Sequence, residues 1–176
     1  MKTGWQTPWV RVATTLMTVA LMVMIFCFSM ENAEDSDKRS GLISNMIIRL
    51  VYPNYENMDT QWQQSVYDSV QHVVRKLAHF TEYMLLGFMI RLCLESWFGH
   101  RMKKYRILSL IGFGAGAGYA CTDEAHQLAI DGRSGQFTDV LVDSIGVLAG
   151  VALGTLLIRC MNWKNREKQD GTIVLE

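Results

Sequence analysis

The chain has 176 residues, one domain's worth, with 17 basic and 17 acidic side chains and 49% of its residues hydrophobic. Balanced charge excludes a broad electrostatic footprint, so no nucleic-acid partner is expected. The apolar residues are concentrated into blocks, which argues for helices in a bilayer rather than one water-soluble core.

The first block, about 9–29, contains the uncharged stretch Val12–Phe28. Lys2 and Arg11 precede it, as in a signal peptide. Its apolar run is longer than the usual signal core, and no small-x-small cleavage site follows, so it reads as a retained membrane helix. The connection 30–75 comes next. Within it, Leu42–Val51 is apolar apart from Ser44, Asn45 and Arg49, is too short to span, and is ended by Pro53. An amphipathic helical segment lying in the interface or over the bundle mouth is predicted there. Asp59 or Thr60 can cap a further helix, with Trp62, Val66, Val70, Val73 and Leu77 at helical spacing, running into the second block.

Three more blocks follow at about 76–98, 106–128 and 137–159, and a tail at 160–176. The predicted fold is all-α, a single membrane domain over 1–176 with four transmembrane helices, each close to the ~20 residues a span requires. Arg91, inside the second block, is expected to snorkel to the nearer interface. Trp5, Trp9, Trp97 and Trp163 suit an aromatic belt. The four cysteines, Cys27, Cys93, Cys121 and Cys160, fall in or beside apolar segments with no paired spacing, and read as small apolar helix residues.

Arg101, Lys103, Lys104 and Arg106 crowd the link after the second block, and Arg159, Lys164, Arg166 and Lys168 follow the fourth. The 29–75 connection instead holds seven Asp/Glu against four Lys/Arg. The positive-inside rule then puts both termini and the 99–106 link in the cytoplasm. The 30–75 connection and the 129–136 turn face outward.

That orientation brings three polar clusters to the outer ends of their helices. They are Lys76, His79, Glu82 and Tyr83; Asp123, Glu124, His126 and Gln127; and Arg133 with Asp139 and Asp143. At 100° per residue, Lys76, His79, Tyr83 and Gly87 share a face within about 80°. Gly112, Gly116, Tyr119, Asp123, His126 and Gln127 share one within about 100°, with Glu124 and Cys121 pointing elsewhere. Asp139, Asp143, Gly146, Gly150 and Gly154 share one within about 80°. Small residues let membrane helices approach closely, so packing the glycine-lined faces aims the polar ends at one another. The same faces also allow self-association.

Three chemistries suit this convergence. His79, His126, Glu82, Asp123 and Asp139 are acceptable ligand types for a divalent metal that activates water, although Lys76 and Arg133 oppose a cation and no short ligand motif is present. Alternatively, Lys76 and Arg133 hold the phosphate of a lipid-linked cell-wall intermediate or a phospholipid headgroup, while His79 or His126 handles a proton. The third reading is a structural clasp, in which Lys76 and Arg133 pair with Asp123, Asp139 or Asp143 to fasten the bundle.

The ordered motifs Lys76-x-x-His79-Phe80-x-Glu82-Tyr83, Thr122-Asp123-Glu124-x-His126-Gln127 and Gly132-Arg133-x-Gly135-x-x-x-Asp139-Val140-x-x-Asp143-x-x-Gly146 resemble the VanZ-like family. Phe26-Cys-Phe-Ser29 and the serine-containing stretch through Ser40 resemble its opening, so the likeness runs over about 20–155. Asp143 departs from the Asn of many members. The resemblance implies a multi-pass protein of the bacterial cytoplasmic membrane linked to resistance to teicoplanin, a glycopeptide antibiotic. It also implies His79, Glu82, Asp123 and His126 as proton-handling or metal-binding groups. Lys76, Tyr83, Glu124, Gln127, Arg133, Asp139 and Asp143 become the groups around a bound headgroup, with membrane lipid as the expected partner. A non-catalytic assembly partner of envelope enzymes is the competing expectation.

Overall fold

The computed structural model describes residues 6–30, 33–99, 105–128 and 137–173. Five α-helices lie in these residues: α1 (Pro8–Ser29), α2 (Ala33–Val51), α3 (Thr60–Phe98), α4 (Tyr105–Gln127) and α5 (Phe137–Ile173). Thr7 caps α1, its hydroxyl accepting from Val10 N at 3.4 Å, and Pro8 fits the first turn, where no amide partner is needed. Pro53 lies two residues beyond the end of α2, and a single 3₁₀ turn (Tyr55–Asn57) reverses the chain into α3.

One boundary differs from the sequence expectation. The short apolar stretch predicted at 42–51 is the second half of a 19-residue helix that starts at Ala33. As expected from Asp59 and Thr60, the helix that starts there runs on through the second apolar block, 39 residues in all. At 1.5 Å per residue α3 is about 58 Å long, roughly twice the hydrocarbon thickness and more than one span requires. Its first half gives α2 a surface to fold against. Gly41, Ser44 and Ile48 are buried at helical spacing on that side, while Leu42, Met46 and Leu50 are exposed on the other.

Three helices are long and apolar enough to cross a membrane: α1, α3 and the 137–164 part of α5. The predicted fourth span, α4, is not among them. It is long enough at 23 residues, but its glycines and polar carboxyl end dilute its hydropathy. Leu16, Val19 and Val23 on α1, Leu110 and Ile111 on α4, and Ile145, Leu148 and Leu156 on α5 are exposed. So much outward apolar surface is foreign to a water-soluble protein and suits contact with lipid.

The core runs through Ile25, Tyr83, Leu86, Ile90, Ala120, Val147 and Val151, continuing past Met89 and Leu92 to Ile158. The α3–α5 seam is built on glycine. A methyl group at Gly87 would strike the Val147 backbone, at Gly146 the Phe80 carbonyl, and at Gly150 the Met84 carbonyl. Gly112 and Gly116 on α4 face Ile90, Leu94, Val151 and Val147. Both predicted stripes are thus occupied within the chain. Backbones this close gain van der Waals contact where lipid supplies no hydrophobic drive between helices.

Arg91 corrects the sequence expectation. It does not snorkel: it is fully buried, its Nη1 donating to Glu95 Oε2 at 3.0 Å and its Nε to Thr155 Oγ1 at 3.0 Å. The space beside Gly154, whose added Cβ would lie 3.2 Å from the Arg91 stem, lets the guanidinium stay inside. A charge held in an apolar interior requires such partners. Thr155 also bonds Ser109 at 2.9 Å, and Thr14 bonds Ser96 at 3.2 Å, so α1, α3, α4 and α5 carry a second polar layer well away from the predicted clusters.

Candidate functional site

Along α3 the first cluster faces two partners in turn. Lys76 pairs with Asp139 at the start of α5, and one turn deeper His79 Nδ1 lies 3.7 Å from Asp143 Oδ1. A further turn down, Tyr83 Oη donates to Asp123 Oδ2 on α4 at 3.0 Å. The i, i+3, i+7 spacing that puts these residues on one side of α3 therefore reads across onto both neighbouring helices. Tyr83 is wholly buried, Asp143 is 2% exposed and Asp123 4%.

Gln127 sits one turn beyond Asp123. Its amide donates to Asp123 Oδ2 at 3.4 Å and to Ser29 Oγ at 2.7 Å, tying α1 to the cluster. Tyr119 makes a parallel tie, donating to the Met22 carbonyl at 2.6 Å. Glu124 corrects the helical-wheel expectation: it is buried, and with Asp123, Glu82 and Lys76 it lies within electrostatic reach of Asp143. The wheel treated α4 as having one inward face, but the helix is wedged between α3 and α5 and buries a wider arc.

His126 goes another way. Its ring rests on Phe26 with centroids 4.9 Å apart, against α1. Arg133 lies outside the described residues. So Lys76, His79, Tyr83, Asp123, Glu124, Gln127, Asp139 and Asp143 are brought together, and His126 stands at the side.

Beside this cluster is a cavity of about 100 Å³, lined by Ser29, His79, Glu82 and Asp123, with Ser36, Ser40, Ile43 and Arg75 over it. The cover comes from α2. Arg75 pairs with Asp37 at 3.1 Å, and Gln71 donates to Ser40 Oγ and the Asp37 carbonyl, each at 3.4 Å. The serines were not singled out as site residues from sequence. Their signal was legible, since Ser36, Ser40 and Ser44 recur every fourth residue and therefore share one face of a helix.

The chemistry of this space is that of hydrogen-bond acceptors. Asp123 Oδ1, on its wall, is buried without a hydrogen bond among the described residues, beside hydroxyls that can either donate or accept. Unsatisfied buried carboxylate oxygens are costly unless something donates to them. Among the described residues no three His, Cys, Asp or Glu side chains stand close enough to hold a metal ion.

The helical bundle, its lipid-suited outer faces and the polar residues gathered at one end define a membrane protein. The chain belongs to the VanZ/LLP1 family, whose model matches residues 14–158. No curated protein and no solved structure matches it.

Proposed function

We propose that this VanZ-like protein binds the polar headgroup of an envelope lipid or lipid-linked cell-wall intermediate in the α2-covered cavity. The same binding would underlie a link to glycopeptide resistance. The observation that carries this reading is the cavity itself, where His79, Glu82, Asp123 and Arg75 meet the Ser29, Ser36 and Ser40 hydroxyls in a space otherwise walled by apolar side chains. At about 30 Å³ per water, it has room for roughly three waters, so a headgroup enters only as α2 moves outward. The ties over the cavity, an exposed ion pair and two long hydrogen bonds, are of the kind that contribute little and break easily.

In this reading the carboxylates of Glu82, Asp123 and Asp143 accept from hydroxyl or amine groups of the ligand. Lys76 and Arg133 hold its phosphate, Lys76 exchanging Asp139 for the anion. His79, against Asp143, is the group that moves a proton if a reaction follows binding. We take α4 as the fourth span. The basic 99–106 link and tail set both termini inside, so the cavity opens outward with α2 in the outer interface.

The competing function is a structural partner of envelope enzymes. It is favoured by the Lys76–Asp139, His79–Asp143 and Tyr83–Asp123 contacts, which by themselves fasten α3 to α4 and α5. Expression of His79→Ala, Asp123→Ala and Arg133→Ala separates the two. Headgroup binding predicts folded protein at wild-type level together with loss of the teicoplanin phenotype. A clasp predicts loss of folded protein in step with the phenotype. Elemental analysis of the purified chain tests the metal version: a stoichiometric divalent ion lost in His79→Ala supports it, and a metal-free but active protein removes it.

A further inference from the structure

A second feature lies in the groove between α4 and α5. The groove encloses about 680 Å³ and its wall is apolar, with Leu110 and Phe113 on α4 facing Leu148, Ala152 and Leu156 on α5. Arg106, the first α4 residue in its wall, and Arg159, the last from α5, both line it. Neither makes an ion pair among the described residues. The Arg159 guanidinium is held over the Tyr105 ring at 5.5 Å, and Tyr105 Oη in turn accepts from Asn162 Nδ2 at 3.0 Å.

We infer that this groove binds one anionic phospholipid, its phosphate between Arg106 and Arg159 and an acyl chain along α4 and α5. Length supports the assignment. From Arg159 back to Leu148 the groove runs about 16 Å along α5 at 1.5 Å per residue. One leaflet's hydrocarbon is about 15 Å deep, so guanidiniums at headgroup level leave a wall as long as an acyl chain. Charge supports it as well. Two guanidiniums without an ion pair among the described residues complement a phosphate and leave a zwitterionic lipid's ammonium without a partner. Lipid in this groove is independent of the outer cavity, which is lined by other residues on α1, α2, α3 and α4.

Native mass spectrometry of the full chain in mild detergent, titrated with palmitoyl-oleoyl phosphatidylglycerol or phosphatidylcholine, tests the site. The first phosphatidylglycerol is expected to bind roughly tenfold tighter than phosphatidylcholine. Arg106→Gln with Arg159→Gln should equalise the two, and Ala152→Phe, which fills the groove but keeps both arginines, should also abolish the preference. Equal binding to the unmodified chain overturns the proposal, as does a preference that survives the double arginine variant. A preference that survives Ala152→Phe overturns the groove, because the arginines would then be binding headgroup alone. The arginine replacements are on exposed side chains, so they decide the question even if Ala152→Phe does not fold.

Discussion

Gly150→Ala is expected to remove most of the folded protein. The added methyl would overlap the Met84 carbonyl and stand 2.7 Å from Phe88 N, both of them α3 backbone that no rotamer change can move aside. Overpacking typically costs about 1–3 kcal/mol, and a clash with backbone belongs at or above the top of that range. The helices would have to separate, losing the close contact that holds them in a medium without a hydrophobic drive between helices. Gly114→Ala and Gly118→Ala are the controls, since a methyl there meets nothing within 4 Å. They should be neutral or stabilising by up to about 1 kcal/mol, the helix preference of Ala over Gly. Thermal unfolding in detergent, followed by the fraction that stays monodisperse, reads both effects. A Gly150→Ala protein that melts with the wild type would show that α3 and α5 do not pack as described.

Arg91→Leu should be the most damaging single change in the half of the bundle away from the polar cluster. It strands Glu95, 6% exposed, as an uncompensated charge in an apolar interior. Breaking a buried pair from one side costs about 3–5 kcal/mol. Removing both partners is different, because two buried charges lose their desolvation cost along with their attraction. Arg91→Leu/Glu95→Leu is therefore expected to recover to within about 1–2 kcal/mol of wild type. Thr155 is not stranded in either variant, since it still donates to the Val151 carbonyl and bonds Ser109. The measurement is a double-mutant cycle on the unfolding midpoint. Additive losses from the two single changes would mean that the pair is not coupled.

What the sequence made legible was periodicity and the consequences of periodicity. Lys76, His79 and Tyr83 share a face because of their spacing, and glycines on α3 and α5 can face only a close neighbour, so meeting across that seam followed from geometry. The helical wheel was less informative where a helix has more than one neighbour. Glu124 was set outside because α4 was given a single inward face, and His126 was set inside although its ring rests on Phe26. Arg91 was misread for a related reason. Snorkelling assumes that the nearest polar surroundings are the interface, and a Glu95 one turn away together with Thr155 on another helix supplied nearer ones. The i, i+4 spacing of Arg91 and Glu95 was visible, but Thr155 required the fold. The helix from Asp59 or Thr60 into the second apolar block was legible from its spacing, but that α2 packs against it required the fold.

The claim on which the rest depends is that the polar ends of α3, α4 and α5 meet at one place. Exchanging charges at its rim tests this directly, because Lys76 and Asp139 pair across two helices and are each about a quarter exposed or less. Lys76→Asp or Asp139→Lys alone sets like charges against each other, and each should lower the unfolding midpoint. The double exchange restores an opposite-charge pair and is expected to regain most of the loss, with a favourable coupling of about 1 kcal/mol or more. Single losses that simply add in the exchanged protein would contradict the convergence of these helices.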